Sequence, residues 1–314
     1  MTTHSEVLED LAALRAQLQA RGSDHLALLR LTPWRPLADI AVDCVLVIAC
    51  VYAVVALGTW LAPAAIVIIA NRQRALGNIL HDAGHRNLCR DKRWNDLMAR
   101  AFVAPLLFSS LSGYRTAHFR HHLSLGDPAG DPDLLAVPGT WPKHWSTSFH
   151  RNLLSWSTWK GSFAGHLAAP EAGIGSKAYI IVWWTVALIA LGQLAGMEFT
   201  GTFALLWLLA RATVFHAITT FREMCDHFGL QPSGILSFTR DMACHGFWRA
   251  LIHPRNNGYH LTHHLLPAVP YYRLPQAQRL FEQMPAYRDH ASVCRTYFVG
   301  ATAVTRAWQA RPQR

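Results

Sequence analysis

Leu37 to Leu57 reads LADIAVDCVLVIACVYAVVAL, a run that is apolar over most of its length with Asp43 in its middle. A helix needs about 20 such residues to cross a hydrocarbon core, so the first membrane span is predicted at 37–57. Gly58 to Pro63 breaks the pattern, and Ala64 to Ala70 resumes it before Asn71, Arg72, Gln73 and Arg74 arrive. The second span, at 60–80, is therefore a helix whose inner half is polar. A similar hairpin recurs later. Tyr179 to Ala195 is apolar, Gly196 to Gly201 turns, and Thr202 to Thr220 is apolar again with Arg211 and His216 inside it, placing two further spans at 179–195 and 202–222.

All 29 Lys and Arg lie outside the turns at 58–63 and 196–201. Cationic residues accumulate on the cytoplasmic side, so both termini and the segments 81–178 and 223–314 are expected in the cytoplasm. The predicted fold is an all-α integral membrane protein: four transmembrane helices in two hairpins, with a cytoplasmic helical cap, as one domain over 1–314. Residues 1–36 form a cytoplasmic N-terminal segment in which Val7, Leu8, Leu11, Leu14 and Leu18 recur at helical spacing. It lacks the basic start, apolar middle and cleavage site of a signal peptide and reads as an amphipathic helix able to lie on the membrane. Ala101 to Leu111 is too short to span and reads as an interfacial or re-entrant helix. Asp127 to Pro142, rich in Asp, Pro and Gly, reads as a loop.

Composition agrees with lipid contact. Of 314 residues, 51% are hydrophobic and only 15% charged, against roughly 25% in an average globular protein. That excludes a disordered chain. The net charge of +10 needs no nucleic acid partner, because each Lys or Arg gains about 1 kcal/mol at an anionic membrane surface. The six Cys (44, 50, 89, 225, 244, 294) form no CxxC pair, so neither a disulfide framework nor a zinc ribbon is indicated.

Eighteen residues are His, and half of them fall into motifs. His81-Asp82-Ala83-Gly84-His85 puts two imidazoles four apart, about 6 Å from each other on one helix face. His118-Phe119-Arg120-His121-His122 and His260-Leu261-Thr262-His263-His264 each place three at i, i+3 and i+4, which share a face. A lone HxxxH is weak evidence, whereas three boxes beside apolar segments are strong. Eight imidazoles gathered together cannot all protonate, since like charges repel. Neutral imidazole suits iron, zinc, copper and nickel, and eight ligands exceed the four of a structural zinc site. Two metal ions are the natural count.

HDAGH, HFRHH and YHLTHH, the last followed by Leu265, Leu266, Pro267, Pro270 and Leu274, resemble the three histidine boxes of the membrane fatty acid desaturase and hydroxylase superfamily. The resemblance covers nearly the whole chain, and Gly126-Asp127-Pro128 and Asp131-Pro132-Asp133 are also similar to many bacterial members. It implies a ninth ligand ahead of the third box. Asp226-His227-Phe228-Gly229 occupies that place and also resembles the EHYG segment of membrane alkane hydroxylases, so His227 joins His81, His85, His118, His121, His122, His260, His263 and His264. Where some desaturases hold a metal-bound water with Asn, this sequence has Glu223, which could bind directly, orient water or pair with Arg222. The boxes lack the extra glycine of the alkane hydroxylases.

A ligating imidazole donates its other N–H to a carboxylate or carbonyl. Asp82, Asp226, Asp127, Asp131 and Asp133 are candidates, the last three competing with simple turn formation, and Asn257 is a weaker one. His216 lies inside a span, where polar groups are commonly functional; packing against a neighbouring helix is the favoured reading. Arg72 and Arg74 bind a lipid phosphate or an acidic loop, or snorkel to the inner headgroups, and snorkelling is favoured. Trp183, Trp184, Trp207, Phe203, Phe215 and Phe221 line a tunnel or pack helices and lipid.

The resemblance implies two iron ions, O2 as co-substrate and an acyl chain in an apolar tunnel. Loss of two hydrogens gives a double bond, and oxygen rebound an alcohol. A fatty acid or acyl-lipid desaturase is the first expectation, a lipid, carotenoid or alkane-type hydroxylase the second, and a non-redox zinc or metal-handling membrane protein the third. No haem or iron–sulfur cysteine pattern exists here, so electrons are expected from a separate ferredoxin, rubredoxin or cytochrome, steered by the basic face.

Overall fold

The computed structural model describes residues 3–22, 24–134, 144–169 and 172–309. Part of the loop predicted over 127–142, residues 135–142, lies outside the described residues. The first helices are α1 (Thr3–Ala20), α2 (Trp34–Leu57), α3 (Ala62–Gly84), α4 (Lys92–Phe102) and α5 (Leu111–Leu123). Then come α6 (Trp145–Leu153), α7 (Trp156–Ala164), α8 (Ile174–Ala195), α9 (Met197–Ala210) and α10 (His216–His227). A π-helical turn, Arg211–Phe215, joins α9 to α10. The remainder is short: α11 (Ile235–Phe238), β1 (Arg240–Met242), α12 (Gly246–Ile252), α13 (His260–Leu265), α14 (Leu274–Phe281), α15 (Pro285–His290), β2 (Ser292–Cys294) and α16 (Val304–Ala307).

Two compact units result. One comprises Thr32–Tyr114 and Leu153–Thr220, the other Met1–Leu31, Arg115–Asn152 and Phe221–Arg314; of the four divisions, one precedes α2, one falls at the end of α6 and two fall within α5 and α10.

The first unit holds the long helices. Trp34–Leu57, Ile174–Ala195 and Met197–His227 are each long and apolar enough to cross a membrane. α3 is as long as α8 but carries Asn71 to Arg74, so its composition alone does not make it a span. α2, α8 and α9 begin before the predicted limits, at 34, 174 and 197, whereas α3 begins inside its limit, at 62, and runs on to 84. α2 and α8 end where predicted, at 57 and 195. α2 stops at Gly58, whose φ of +119° is open to glycine and whose N–H is accepted by the Val54 carbonyl at 3.2 Å. α8 stops in the same way at Gly196, with φ +85° and a 3.0 Å bond to Gly192 O.

α2 buries a seam of Ile40, Asp43, Val47, Val51 and Val54, the i, i+3/i+4 stripe of a packed helix. Val42, Val45 and Tyr52 are exposed. Asp43 is fully buried and accepts from Arg72 Nη1 of α3 at 2.8 Å. This corrects the snorkelling expectation for Arg72, because a guanidinium neutralised inside the helix pair has no need to reach the headgroups. Gln73 Nε2 donates to Trp207 O at 2.9 Å. His216 is held from both ends, Nδ1 by the Ser162 hydroxyl at 2.6 Å and Nε2 by the Leu153 carbonyl at 2.8 Å, as the packing reading expected.

Ala101–Leu111 is not one helix. α4 ends at Phe102, Pro105–Leu107 makes a single 3-10 turn, and Phe108 adopts a left-handed conformation with φ +53°. Pro105 has no N–H to offer the Ala101 carbonyl four residues earlier, and Trp183 Nε1 donates to that carbonyl at 3.0 Å. Other side chains hold the turn that follows. Trp184 Nε1 donates to Pro105 O at 2.8 Å, and the buried Arg211 donates Nη2 to Leu107 O at 2.9 Å and Nε to Phe163 O. Trp184, Phe203 and Trp207 stack together with centroids 5.8–6.2 Å apart, which is helix packing rather than a tunnel wall.

The second unit is built from short elements around two cores. Val7, Leu14 and Leu18 of α1 pack with Leu125, Ile235, Leu261, Phe281 and Tyr287, so most of the apolar stripe of the N-terminal helix is packed by its own chain, with Leu8 exposed. Asp10 fixes it by accepting the Leu236 N–H at 3.0 Å. Phe221, Met224, Phe228, Met242, Tyr297 and Trp308 form the other core, where each fully buried large side chain contributes about 1.5–3 kcal/mol. The all-α expectation needs one correction. β1 and β2 pair in parallel with Arg240 opposite Ser292, since three-residue strands carry no periodicity to read.

Candidate metal centre

The histidine boxes sit at helix ends. α3 closes with a Schellman pattern, Asn87 N–H to Asp82 O at 2.9 Å and Arg86 N–H to Ala83 O at 3.1 Å, with Arg86 at φ +63° in the left-handed position usually given to glycine. His81 and His85 lie in this last turn, in the first unit, with ring centroids 5.2 Å apart. Asp82 stands 3.6 Å from His81 Nδ1, too far for a good hydrogen bond.

The other seven histidines belong to the second unit, on the last turns of α5 and α10 and the whole of α13. His121, His227, His260 and His264 are all buried, and one nitrogen from each lies within 4.8 Å of the rest. His260 Nε2 is 2.9 Å from His227 Nε2 and 3.0 Å from His264 Nε2. His122 Nε2 is 3.1 Å from both His118 Nε2 and His263 Nε2, and the His122 ring stacks on His264 with centroids 4.1 Å apart. The box residues spaced i, i+3, i+4 thus turn their nitrogens inward, with His122 between the two groups.

Hydrogen bonds behind the rings settle which nitrogen faces in. His227 Nδ1 lies 2.8 Å from the Phe238 carbonyl, which can only accept, so Nδ1 carries the proton and neutral Nε2 offers its lone pair. His121 Nδ1 is 2.7 Å from Asp131 Oδ1, giving the carboxylate–histidine arrangement found behind metal ligands. Burial pulls the His121 ring down, but the Asp131 carboxylate outweighs it and raises the ring above its ordinary value, while His121 and the Gly126 and Asp133 N–H groups hold Asp131 low. His264 is pushed well below the ordinary imidazole range, by burial first and then by His122, His260, His121 and His263. Both causes favour its neutral form.

Of the loop aspartates, Asp131 therefore serves the histidines. Asp127 accepts the Ala129 N–H at 3.1 Å and makes the turn, and Asp133 donates its backbone N–H to Asp131. Gly126, at φ +76°, lets the chain double back to Asp131, and a Cβ there would come within 2.7 Å of Pro232. Asp226 accepts from Arg222 Nη2 at 2.6 Å and lies 3.7 Å from His260 Nδ1, so Arg222 is engaged with Asp226. Glu223 stands one turn before His227, half-buried, and Asn257 is buried ahead of α13. Sequence reasoning missed the Phe238 carbonyl, which no side-chain motif could reveal, and the buried Asp241, a lone acid in an unremarkable stretch.

The donor set fits a metal. Two Nε2 atoms 2.9 Å apart can share one proton at most, and His260 has such a neighbour on two sides. A cation between them satisfies every lone pair at once. Bonds of about 2.1 Å place adjacent ligands of an octahedral ion about 3 Å apart, the spacing observed here.

Comparison with known proteins agrees with this geometry. The fatty acid desaturase family model matches residues 57–295. The dihydrorhizobitoxine desaturase of Bradyrhizobium elkanii is 30% identical over 274 residues, covering 81% of this chain and 77% of that protein. The chain belongs to the fatty acid desaturase family, and is an oxidoreductase of the desaturase/hydroxylase type with helices suited to a membrane.

Proposed function

We propose that the chain is an O2-dependent di-iron desaturase that introduces a C=C bond into an acyl chain, a fatty acid or acyl-lipid. The observation that carries this reading is the convergence of imidazole nitrogens from three helices, with a carboxylate behind His121 and a carbonyl behind His227. His81, His85, His118, His121, His122, His227, His260, His263 and His264 would hold the two ions, and iron bound there supplies the redox chemistry that activates O2 toward an unactivated C–H bond. The chain's own share is positioning. Asp131 and the Phe238 carbonyl fix the tautomers of His121 and His227, and burial of His121, His260 and His264 excludes water from the reacting centre. Electrons come from a separate carrier, a ferredoxin, rubredoxin or cytochrome.

In the same reading α3 is a fourth membrane crossing, paired with α2 as α8 is with α9. The termini and the histidines then lie on the cytoplasmic side, and the two units act as one desaturase domain. The relative's name favours desaturation over hydroxylation, and it also motivates a second substrate reading, desaturation of dihydrorhizobitoxine itself. Mass spectrometry tests both. Lipids from a host expressing the chain, and dihydrorhizobitoxine incubated with the purified enzyme and a reductant, are compared with the His263→Ala form. Loss of two hydrogens from an acyl chain supports the first reading and the same loss from dihydrorhizobitoxine the second. Gain of one oxygen would replace desaturation by hydroxylation, and turnover undiminished in His263→Ala would contradict the proposed site.

A further inference from the structure

α13 carries three histidines on six residues, a length at which an isolated helix does not persist in water, and its N-cap residue Tyr259 makes no side-chain cap. The missing cap comes from elsewhere. Asp241, fully buried, accepts the Thr262 N–H on Oδ1 at 3.0 Å and the Thr262 hydroxyl on Oδ2 at 2.5 Å, and the Tyr287 hydroxyl donates to the same Oδ2 at 2.6 Å. A carboxylate at that position both satisfies an open N–H and complements the positive end of the helix. The residue just before it does the converse. Arg240, also fully buried, donates Nη1 to Cys225 O at 2.8 Å and Nη2 to Phe228 O at 3.2 Å, gripping the carbonyls that flank His227 at the negative end of α10.

Consecutive residues of a strand point to opposite faces, so a two-residue step in β1 reaches both ligand helices at once. β1 is itself held on two sides: Arg240 and Asp241 lie opposite Ser292 and Val293 of β2, and the Met242 N–H donates to Gly258 O at 2.7 Å. We propose that Arg240 and Asp241 are positioning residues that together set the spacing between His227 and the third histidine box. The inference rests on the metal reading above, since it is the ion that makes a tenth of an ångström between nitrogens matter.

Thr262→Val removes the hydroxyl that Asp241 holds while keeping the side chain's shape, and Thr262→Ser restores it. Tyr287→Phe removes a donor to Asp241 at a distance from every histidine. Each full-length variant is loaded with ferrous iron, and two quantities are read: iron kept per chain after dialysis against a chelator, and the melting temperature of the iron-free protein. Thr262→Val should release iron about 10-fold faster than wild type, in line with losses at groups supporting metal ligands. Tyr287→Phe should release it about 3-fold faster, and Thr262→Ser at the wild-type rate, with iron-free melting temperatures together within a few degrees. In turnover, kcat should fall with KM unchanged. Equal iron retention in Thr262→Val and wild type, failure of Thr262→Ser to restore it, or faster release that merely tracks a lowered melting temperature would overturn the positioning role. Wild-type protein that holds no iron would overturn the metal reading, and this inference with it.

Discussion

Two buried polar networks occupy the molecule and are solved in opposite ways. In the long-helix unit, Asp43 meets Arg72, Gln73 meets the Trp207 carbonyl, and His216 is bonded through both ring nitrogens. Donor faces acceptor there, and the chain completes these pairs itself. Among the seven histidines of the short-helix unit, like faces like: His260 Nε2 lies within 3.0 Å of both His227 and His264, and one proton cannot satisfy all three nitrogens. The protein supplies the outward partners, Asp131 and Phe238 O, and leaves the inward nitrogens to something cationic. A polar cluster that is self-complementary stabilises, whereas one that is complementary only to an absent charge has a ligand to bind.

That contrast is sharpest at the ligands. His260→Ala or His264→Ala should lower iron retention more than 100-fold, beyond the 10–100-fold typical of outer partners, and abolish turnover, read by elemental analysis and product mass. Asp43→Ala should instead cost about 3 kcal/mol of stability by leaving the half-buried Arg72 guanidinium without its carboxylate, while the double change Asp43→Leu/Arg72→Met comes out near neutral. Thermal unfolding checks this, with iron content per folded chain unchanged in both. Asp131→Asn lies between the two networks in kind and should weaken iron binding about 10–100-fold, whereas Asp127→Asn should leave it at the wild-type level. The smallest effect belongs to His216→Phe, about 1–3 kcal/mol for stranding the Leu153 carbonyl, again with iron retained. Loss of iron in the Asp43 or His216 variants would erase the distinction between the networks.

Much of this contrast was legible in the sequence because helical spacing is a strong signal. HxxxH and HxxHH set three of the histidine stretches on helix faces, and His227 was singled out by the resemblance of its surroundings. The long apolar runs located the helices of the first unit and, through Gly58 and Gly196, the C-terminal ends of α2 and α8; the starts at 34, 174 and 197 lie earlier because polar residues such as Arg35 and Lys177 are tolerated in a first helical turn. Other features were not legible, each for a physical reason. Arg72 was expected to snorkel because its partner Asp43 lies 29 residues earlier on another helix, and spacing rules reach only one turn or two. The stretch Ala101–Leu111 has a helix-like composition, but Pro105 interrupts the helical ladder, and the buried Arg211 with Trp183 and Trp184 donates to its carbonyls around a 3-10 turn. The α1 stripe met the criterion for a membrane-surface helix, and only the chain's own core, including Leu261 and Phe281, could show that most of the stripe was already taken. Asp241 acts on a helix that begins well beyond it in sequence, at His260, so no capping pattern of adjacent residues could reveal it.

The account turns on what lies between the inward-facing nitrogens. Quantitative elemental analysis of the folded, full-length protein tests it most directly. Two iron atoms per chain, lost together in His260→Ala, are the predicted result. A single tightly held zinc, or a folded chain with no metal at all, would contradict it.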